Sequence, residues 1–402
     1  MPDASVRVST EAMASPRIPR NPGDDYTRSM AAQRRQVLSE HSGAVLAYVG
    51  RYSIDPGVLR GNIEGFIGAA QVPIGVAGPL LINGEYASGE FLVPLATTEG
   101  SLVASYNRGM RLLSECGGVT TTIVEESMQR GPAFRFDSSR EARDFGRWVL
   151  DNLAAIRAAA ESTTRVGRLL DIGQYQVGPL RYLRFNYTTG DAAGQNLTGK
   201  ATRAACEWIR DHCPGHPRYV LSGNVDTDKK HSQINTLLTR GRRVVAEAVL
   251  SAEALHRIMR VDPVELFRWR QVAMTGAVLA GASGTGVHAA NALAALFIAT
   301  GQDAANVAES HAALSYTQLL DSGDYYWSVT LPALIVATYG GGTGLPTQRE
   351  CLELLGCYGP GRVRAFAEIC AAVVLAGETS LAAAVLHDDW VAAHERLGRN
   401  RP

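Results

Sequence analysis

Two periods of apolar residues alternate along this chain. Every-second-residue runs such as Tyr182–Tyr187 read as strands. Phe145, Val149, Leu153 and Ile156 instead recur at helical spacing within Ser139–Glu161. Between 132 and 222 the pattern predicts a short strand at Ala133–Phe136, the helix Ser139–Glu161, and strands at Val166–Ile172 and Tyr182–Tyr187. A helix at Ala193–His212 and a strand at Tyr219–Leu221 follow. That order, β-α-β-β-α-β, is the ferredoxin-like arrangement. The flanks, 56–131 and 223–402, are then expected to form one larger, mainly helical domain around a central helix, with 132–222 inserted into it. The fold class is α+β. Residues 1–55 form an N-terminal extension and helical segment. Its first 25 or so residues, rich in Ser, Pro, Arg and Asp, are expected to be loosely attached.

The stretch Gln271–Gln302 carries no Asp, Glu, Lys or Arg and is longer than a membrane span. Gly276, Gly281, Gly284, Gly286, His288 and Asn291 interrupt its apolar character, which predicts a closely packed central helix and not a lipid-facing one. Earlier, a strand through Phe91 and Val93 is expected to end at Pro94. Thr97 and Thr98 then cap a helix that holds Glu99 in its first turn and stops near Gly117-Gly118.

Charge narrows the partners. Lys+Arg and Asp+Glu balance at 39 each, so nothing favours a nucleic acid or a membrane surface. Six cysteines show no paired metal spacing, and no signal peptide opens the chain, so reduced thiols and a cytoplasmic protein are expected.

Four segments carry candidate chemistry. Ser222-Gly-Asn-Val-Asp-Thr-Asp-Lys-Lys230 follows the strand-like Arg218–Leu221 and sets two cations among carboxylates, with Gly and Asn permitting unusual backbone angles. Lys229 in such a loop can neutralise an oxyanion, with Asp228 orienting it and Lys230 gripping an anionic substrate. Glu99 reads as a semi-buried proton donor. Gly190-Asp-Ala-Ala-Gly-Gln-Asn-Leu197 places small residues at a helix start, where a phosphate or dinucleotide can approach free N–H groups. Gly301-Gln-Asp-Ala-Ala-Asn306 leaves Asp303 at the edge of the apolar stretch. Each alone reads equally well as ordinary turn or cap structure.

Taken in order, these segments resemble 3-hydroxy-3-methylglutaryl-CoA (HMG-CoA) reductase. Val72–Pro79, Met128–Pro132, His288–Asn291, Tyr339–Thr343 and Ala376–Leu381 resemble the same family. The pattern is similar to the class I-like form that uses NADPH, here without a membrane anchor. The resemblance implies a four-electron reduction of HMG-CoA to mevalonate and CoA with two NADPH. It implies catalytic roles for Glu99, Lys229, Asp303 and His394, the last as general acid for the departing CoA thiolate. Substrate would fall to Arg130, Ser222, Asp228, Lys230, Asn291 and His288. NADPH would fall to Asp191, Ala193, Gly194, Gln195, Asn196 and Gly340, with Arg165 and Arg399 on its 2′-phosphate. A site shared between subunits, hence at least a homodimer, is implied as well.

Three departures from the family stand out. Gly65 replaces an Asn, Val225-Asp226 replaces an apolar residue and Cys, and Val272 falls where a substrate-binding Lys is expected. Arg268, one helical turn before Val272, is the expected replacement cation, while Arg270 is expected at the surface.

Overall fold

The computed structural model describes residues 17–387. Two compact units divide the chain, Met1–Val72 and Pro73–Pro402. In the first, helix α1 (Arg28–Ser42) starts on Thr27, whose hydroxyl accepts the Met30 N–H at 3.1 Å, and stops at Gly43 in the left-handed region. Arg34 is fully buried there, satisfied by the Pro19 and Phe66 carbonyls and by the Asp25 carboxylate at 2.5 Å.

The second unit opens with the pair β1 (Ile74–Gly84) and β2 (Ser88–Ala96), then α2 (Leu102–Glu115) and β3 (Val119–Arg130). Next come β4 (Ala133–Arg135), α3 (Ser139–Asp151), α4 (Leu153–Glu161), β5 (Arg168–Val177), β6 (Leu180–Thr188), α5 (Gln195–His212) and β7 (Arg218–Val220). After α6 (Gln233–Leu238) and β8 (Gly241–Leu250) the chain is mainly helical: the single turn α7 (Ala252–Ala254), α8 (Pro263–Leu279), α9 (Ala289–Thr300) and the short α10 (Val307–Ser310). The hairpin β9 (Leu314–Leu319) and β10 (Tyr325–Leu334), then α11 (Pro346–Leu354) and α12 (Val363–Leu386), complete it.

One strand ties the sheet together. Thr120–Ser127 of β3 pair with β8, and Met128–Arg130 pair with β6, so the order runs β7-β4-β6-β3-β8-β10-β9. Within 133–220 the strands lie antiparallel in the order β7-β4-β6-β5. Their core is separate, built from Phe134, Phe145, Val149, Ile156, Phe185 and Ile209.

Several sequence expectations change. The central helix is α12, not Gln271–Gln302: Ile369 through Ser380 are all buried, and α12 packs on α2, α9 and β8. Its two buried carboxylates are satisfied by backbone. Glu368 accepts N–H groups of Glu85, Tyr86 and Ala87, and Glu378 accepts those of Val287 and His288. By length and composition α12 would cross a membrane, but 83% of its most apolar window is buried within the protein. Gln271–Gln302 breaks after Leu279, because the glycine-rich link to α9 runs flat against the backbone of Ala312 and Ala313. On α8, Val272, Val278 and Leu279 are 71%, 76% and 89% exposed, an apolar face that the described residues leave uncovered.

Arg270 is buried, not superficial. Its guanidinium lies over the Trp327 ring at 5.7 Å and donates to the Thr285 carbonyl. Pro94 sits inside β2 opposite Val76 instead of ending the strand, and β2 pairs with β1 alone, an edge position of the kind where proline is tolerated. The helix Ser139–Glu161 is two, parted at Asn152, whose side chain bonds back to the Trp148 carbonyl.

Packing of α2 on α12 rests on a glycine of each helix, Gly109 against the Ala376 carbonyl and Gly377 against the Tyr106 ring. A Cβ at Gly109 would overlap the Ala376 carbonyl. Gly109→Ala is therefore expected to destabilise the protein by about 1–3 kcal/mol through overpacking. Urea unfolding measures this, and an unchanged midpoint would show that the two helices are free to part.

Candidate active site

The loop from Ser222 to Lys230 is shaped by backbone angles that few side chains adopt. Asn224, Thr227 and Lys229 all have positive φ, at 65°, 50° and 56°. The result turns the Lys229 ammonium onto Asp303, Nζ to Oδ2 at 2.7 Å, with both side chains part-exposed. Asp303 is fixed in turn, its other oxygen accepting the Ala305 N–H at 3.1 Å just beyond α9. The hydrogen bond to Asp303 raises the Lys229 pKa, so the amine is a cation throughout the neutral range.

Behind the loop lies a buried network invisible in the sequence. Arg240, with no exposed side-chain surface, donates to Asp228 at 2.9 Å and to Glu309 at 2.6 Å. Glu309 also accepts the backbone N–H of Lys229 at 2.7 Å. Gln195 donates to Asp228 at 2.8 Å and to Asn306 at 3.1 Å, tying the start of α5 to the loop. Burial pushes the Asp228 pKa up, but Arg240, Gln195 and Arg130 outweigh it, and the carboxyl ends below its ordinary value. The only sequence signal for Arg240 is a charge flanking an apolar strand. For Glu309 there is none.

Lys229, Asp303, Asp228, Gln195 and Asn306 line a cavity of about 390 Å³, with Arg240 and Glu309 behind its wall. Its walls hold Ala193, Gly194, Gln195 and Asn196 from the start of α5, Lys229 and Asp303, and the glycine turn at Gly340. Gly194 precedes the helix in the left-handed region without a side-chain cap, so the first α5 N–H groups are available to an anion. Gly301 and Gly342 meet backbone to backbone at the floor, and a Cβ on either would collide with the other.

Other expected site residues are placed differently. Arg130 lines the cavity, but its guanidinium faces Asp226 at 3.2 Å and Asp228 at 3.9 Å, so it is largely neutralised by its own chain. Asp226 is fully buried in that pair. The Asp191 carboxylate accepts the Val363 N–H at 3.3 Å and thereby anchors α12. Ser222, Lys230 and Arg165 are exposed, and Lys230 donates to the Asp228 carbonyl at 3.1 Å. Arg268 lies exposed on α8, away from the cavity lining. His394 and Arg399 fall outside the described residues.

Glu99 is exposed, not semi-buried, in the turn before α2, and it accepts from Asn291 Nδ2 at 3.0 Å. Asn291 stands at the start of α9, whereas Asp303 follows its end. A helix of that length separates the two by about 18 Å. One chain therefore holds two polar pairs, Glu99–Asn291 and Lys229–Asp303, at opposite ends of α9.

The family model described as hydroxymethylglutaryl-coenzyme A reductase matches residues 30–399. The chain belongs to that family. It is 43% identical over 376 residues to the 3-hydroxy-3-methylglutaryl-coenzyme A reductase of Pyrococcus abyssi, covering 91% of this chain and 92% of that one. With the Aeropyrum pernix reductase it shares 41% over 405 residues, 99% and 96% of the two chains. The fold is similar to a solved class II reductase from Streptococcus pneumoniae bound to NADPH, with a TM-score of 0.67 at 20% identity, covering 88% of this chain and 97% of that one.

His288, expected near the thioester, is buried and stacked on Tyr106 with ring centroids 4.9 Å apart. Burial lowers its pKa to about 4, so it is neutral at pH 7 and supplies no cation to a substrate. Because the unfolded chain takes up this proton near 6.5 and the folded one does not, the stability it confers is complete above 6.5. It is lost as pH falls towards 4, by roughly 3 kcal/mol. Thermal unfolding should therefore show the gap between wild type and His288→Gln narrowing from pH 7 to lower pH. Parallel curves would show that the histidine is charged in the fold.

Proposed function

We propose that this protein is the cytoplasmic NADPH-dependent enzyme that reduces HMG-CoA to mevalonate and CoA, in the class I-like form. The observation that carries this reading is the Lys229–Asp303 pair at 2.7 Å, opening into a cavity walled by the α5 start and the Gly340 turn. The cofactor's phosphates fit the uncapped α5 N-terminus, and the close glycine backbones leave room for its planar ring. The strand order β7-β4-β6-β5 and its separate core support an inserted ferredoxin-like cofactor domain over 132–222, joined by the Ser222–Lys230 loop to the substrate domain of 56–131 and 223–402.

Bound NADPH supplies the hydride for each of the two reductions. Lys229 neutralises the oxyanion that develops on the thioester carbonyl and again on the aldehyde. Asp303 holds the ammonium on that target. His394 protonates the departing CoA thiolate, and Glu99 supplies the proton for the alcohol. Arg165 and Arg399 take the 2′-phosphate. Arg130, Ser222, Lys230 and Asn291 face the substrate.

The reading includes a homodimer. The separation of Glu99–Asn291 from Lys229–Asp303 along α9 and the bare apolar face of α8 both support a site completed by a second copy. In that arrangement Arg268, exposed beside Val272, supplies the cation that the family's Lys would otherwise give.

Following NADPH oxidation with HMG-CoA tests the activity, and turnover only with an uncharged branched acyl-CoA would overturn the substrate. Lys229→Ala should abolish reduction while CoA still binds, since the charge acts on a developing oxyanion. Co-expressing Glu99→Gln with Lys229→Ala tests the shared site. Each variant alone is expected to be inactive, and statistical two-fold pairing should restore about a quarter of wild-type activity. No recovery in a mixed dimer would place both residues in one chain's site.

A further inference from the structure

Lys229 reaches Asp303 from a backbone at φ 56°, a region that residues with a Cβ seldom occupy. What holds it is visible. The Lys229 N–H donates to Glu309 Oε1 at 2.7 Å, and the same oxygen accepts from Arg240 at 2.6 Å. Arg240 grips Asp228, the preceding residue, at 2.9 Å. One buried guanidinium thus fixes both the residue before the lysine and the carboxylate that takes the lysine's own N–H. Glu309 and Arg240 have no exposed side-chain surface, and Glu309 Oε2 is buried with no hydrogen-bond partner.

We propose that Glu309 is the positioning residue for Lys229, fixing its left-handed backbone through the buried Arg240 and so setting the aim of the ammonium. The inference rests on Lys229 as the oxyanion residue. Glu309 touches no reacting atom in this scheme, and its effect passes through the Lys229 peptide.

The partnerless Oε2 gives the carboxyl a second property: it can take a proton without breaking either bond made by Oε1. The groups facing it are Arg240, Asp228 and Lys229, the last through both its N–H and its ammonium charge, and its neighbour His311 turns its ring to the Val307 carbonyl. Burial outweighs Arg240 and lifts the Glu309 pKa to about 7. Deprotonation above that value strengthens the hold on the Lys229 N–H and on Arg240. Protonation below it weakens both, so the reaction rate should carry an acid limb from this group.

The test uses steady-state reduction of free mevaldehyde, which involves no thiolate release. Glu309→Ala should lower kcat by between about tenfold and a hundredfold, the scale of a misaimed catalytic group. The KM values for NADPH and aldehyde should stay within about twofold. Glu309→Gln keeps an acceptor for the N–H but cannot titrate, so it should restore most of kcat and flatten the limb around pH 7. Wild-type kcat in Glu309→Ala, or a Gln enzyme no better than Ala with the wild-type pH profile, overturns the proposal. If the Ala variant does not fold, the Gln profile decides alone: flat supports the role, unchanged defeats it. Lys229→Ala is the control. Should it retain kcat, the reading of the site fails and not the positioning role.

Discussion

Everything at the site hangs on one buried cation. Arg240 has no exposed side-chain surface, so it must be met by fixed acceptors, and it finds two carboxylates from distant parts of the chain, Asp228 and Glu309. A buried ion pair adds little net stability against an apolar replacement, yet removing one partner costs about 3–5 kcal/mol, because the other is left unpaired. Such a group is a poor glue and a good gauge. It accepts one geometry, and here that geometry puts Lys229 against Asp303.

The rest of the fold supplies a rigid frame for this gauge. β3 joins the small antiparallel layer to the large one, so the loop after β7 and the start of β8 cannot drift apart. α12 fills the core beneath, made possible by the close approach of α2 at Gly109. The charges α12 buries, Glu368 and Glu378, each cap a run of backbone N–H groups, which turns a penalty into anchorage for the β1–β2 turn and the start of α9.

The elements between 133 and 220 were legible because their apolar periods are unambiguous and their turns carry Gly, Pro or Asn. Helix termini were less so. Glu99 read as a first-turn residue because Thr97 and Thr98 suit a cap, but the chain needs a further turn and enters α2 at Leu102 with Ser101 in the left-handed region. The uncharged stretch Gln271–Gln302 read as the core helix because composition cannot tell a helix buried by its own chain from one left bare. The ion pair of Arg130 with Asp226 was not legible, because the sequence gives no distance to a residue that sits 96 residues later in the chain and 3.2 Å away in space.

Local chemistry was therefore set by the sequence itself: which loop carries the lysine, which helix start lacks a side-chain cap, which turns need glycine. These follow from neighbouring residues and short-range sterics. Pairings across the chain were decided only by the tertiary structure. Arg240 meets Glu309, Gln195 ties α5 to Asp228, and Glu99 stands a helix length from Lys229, because burial and strand register, not sequence proximity, choose which charges face each other.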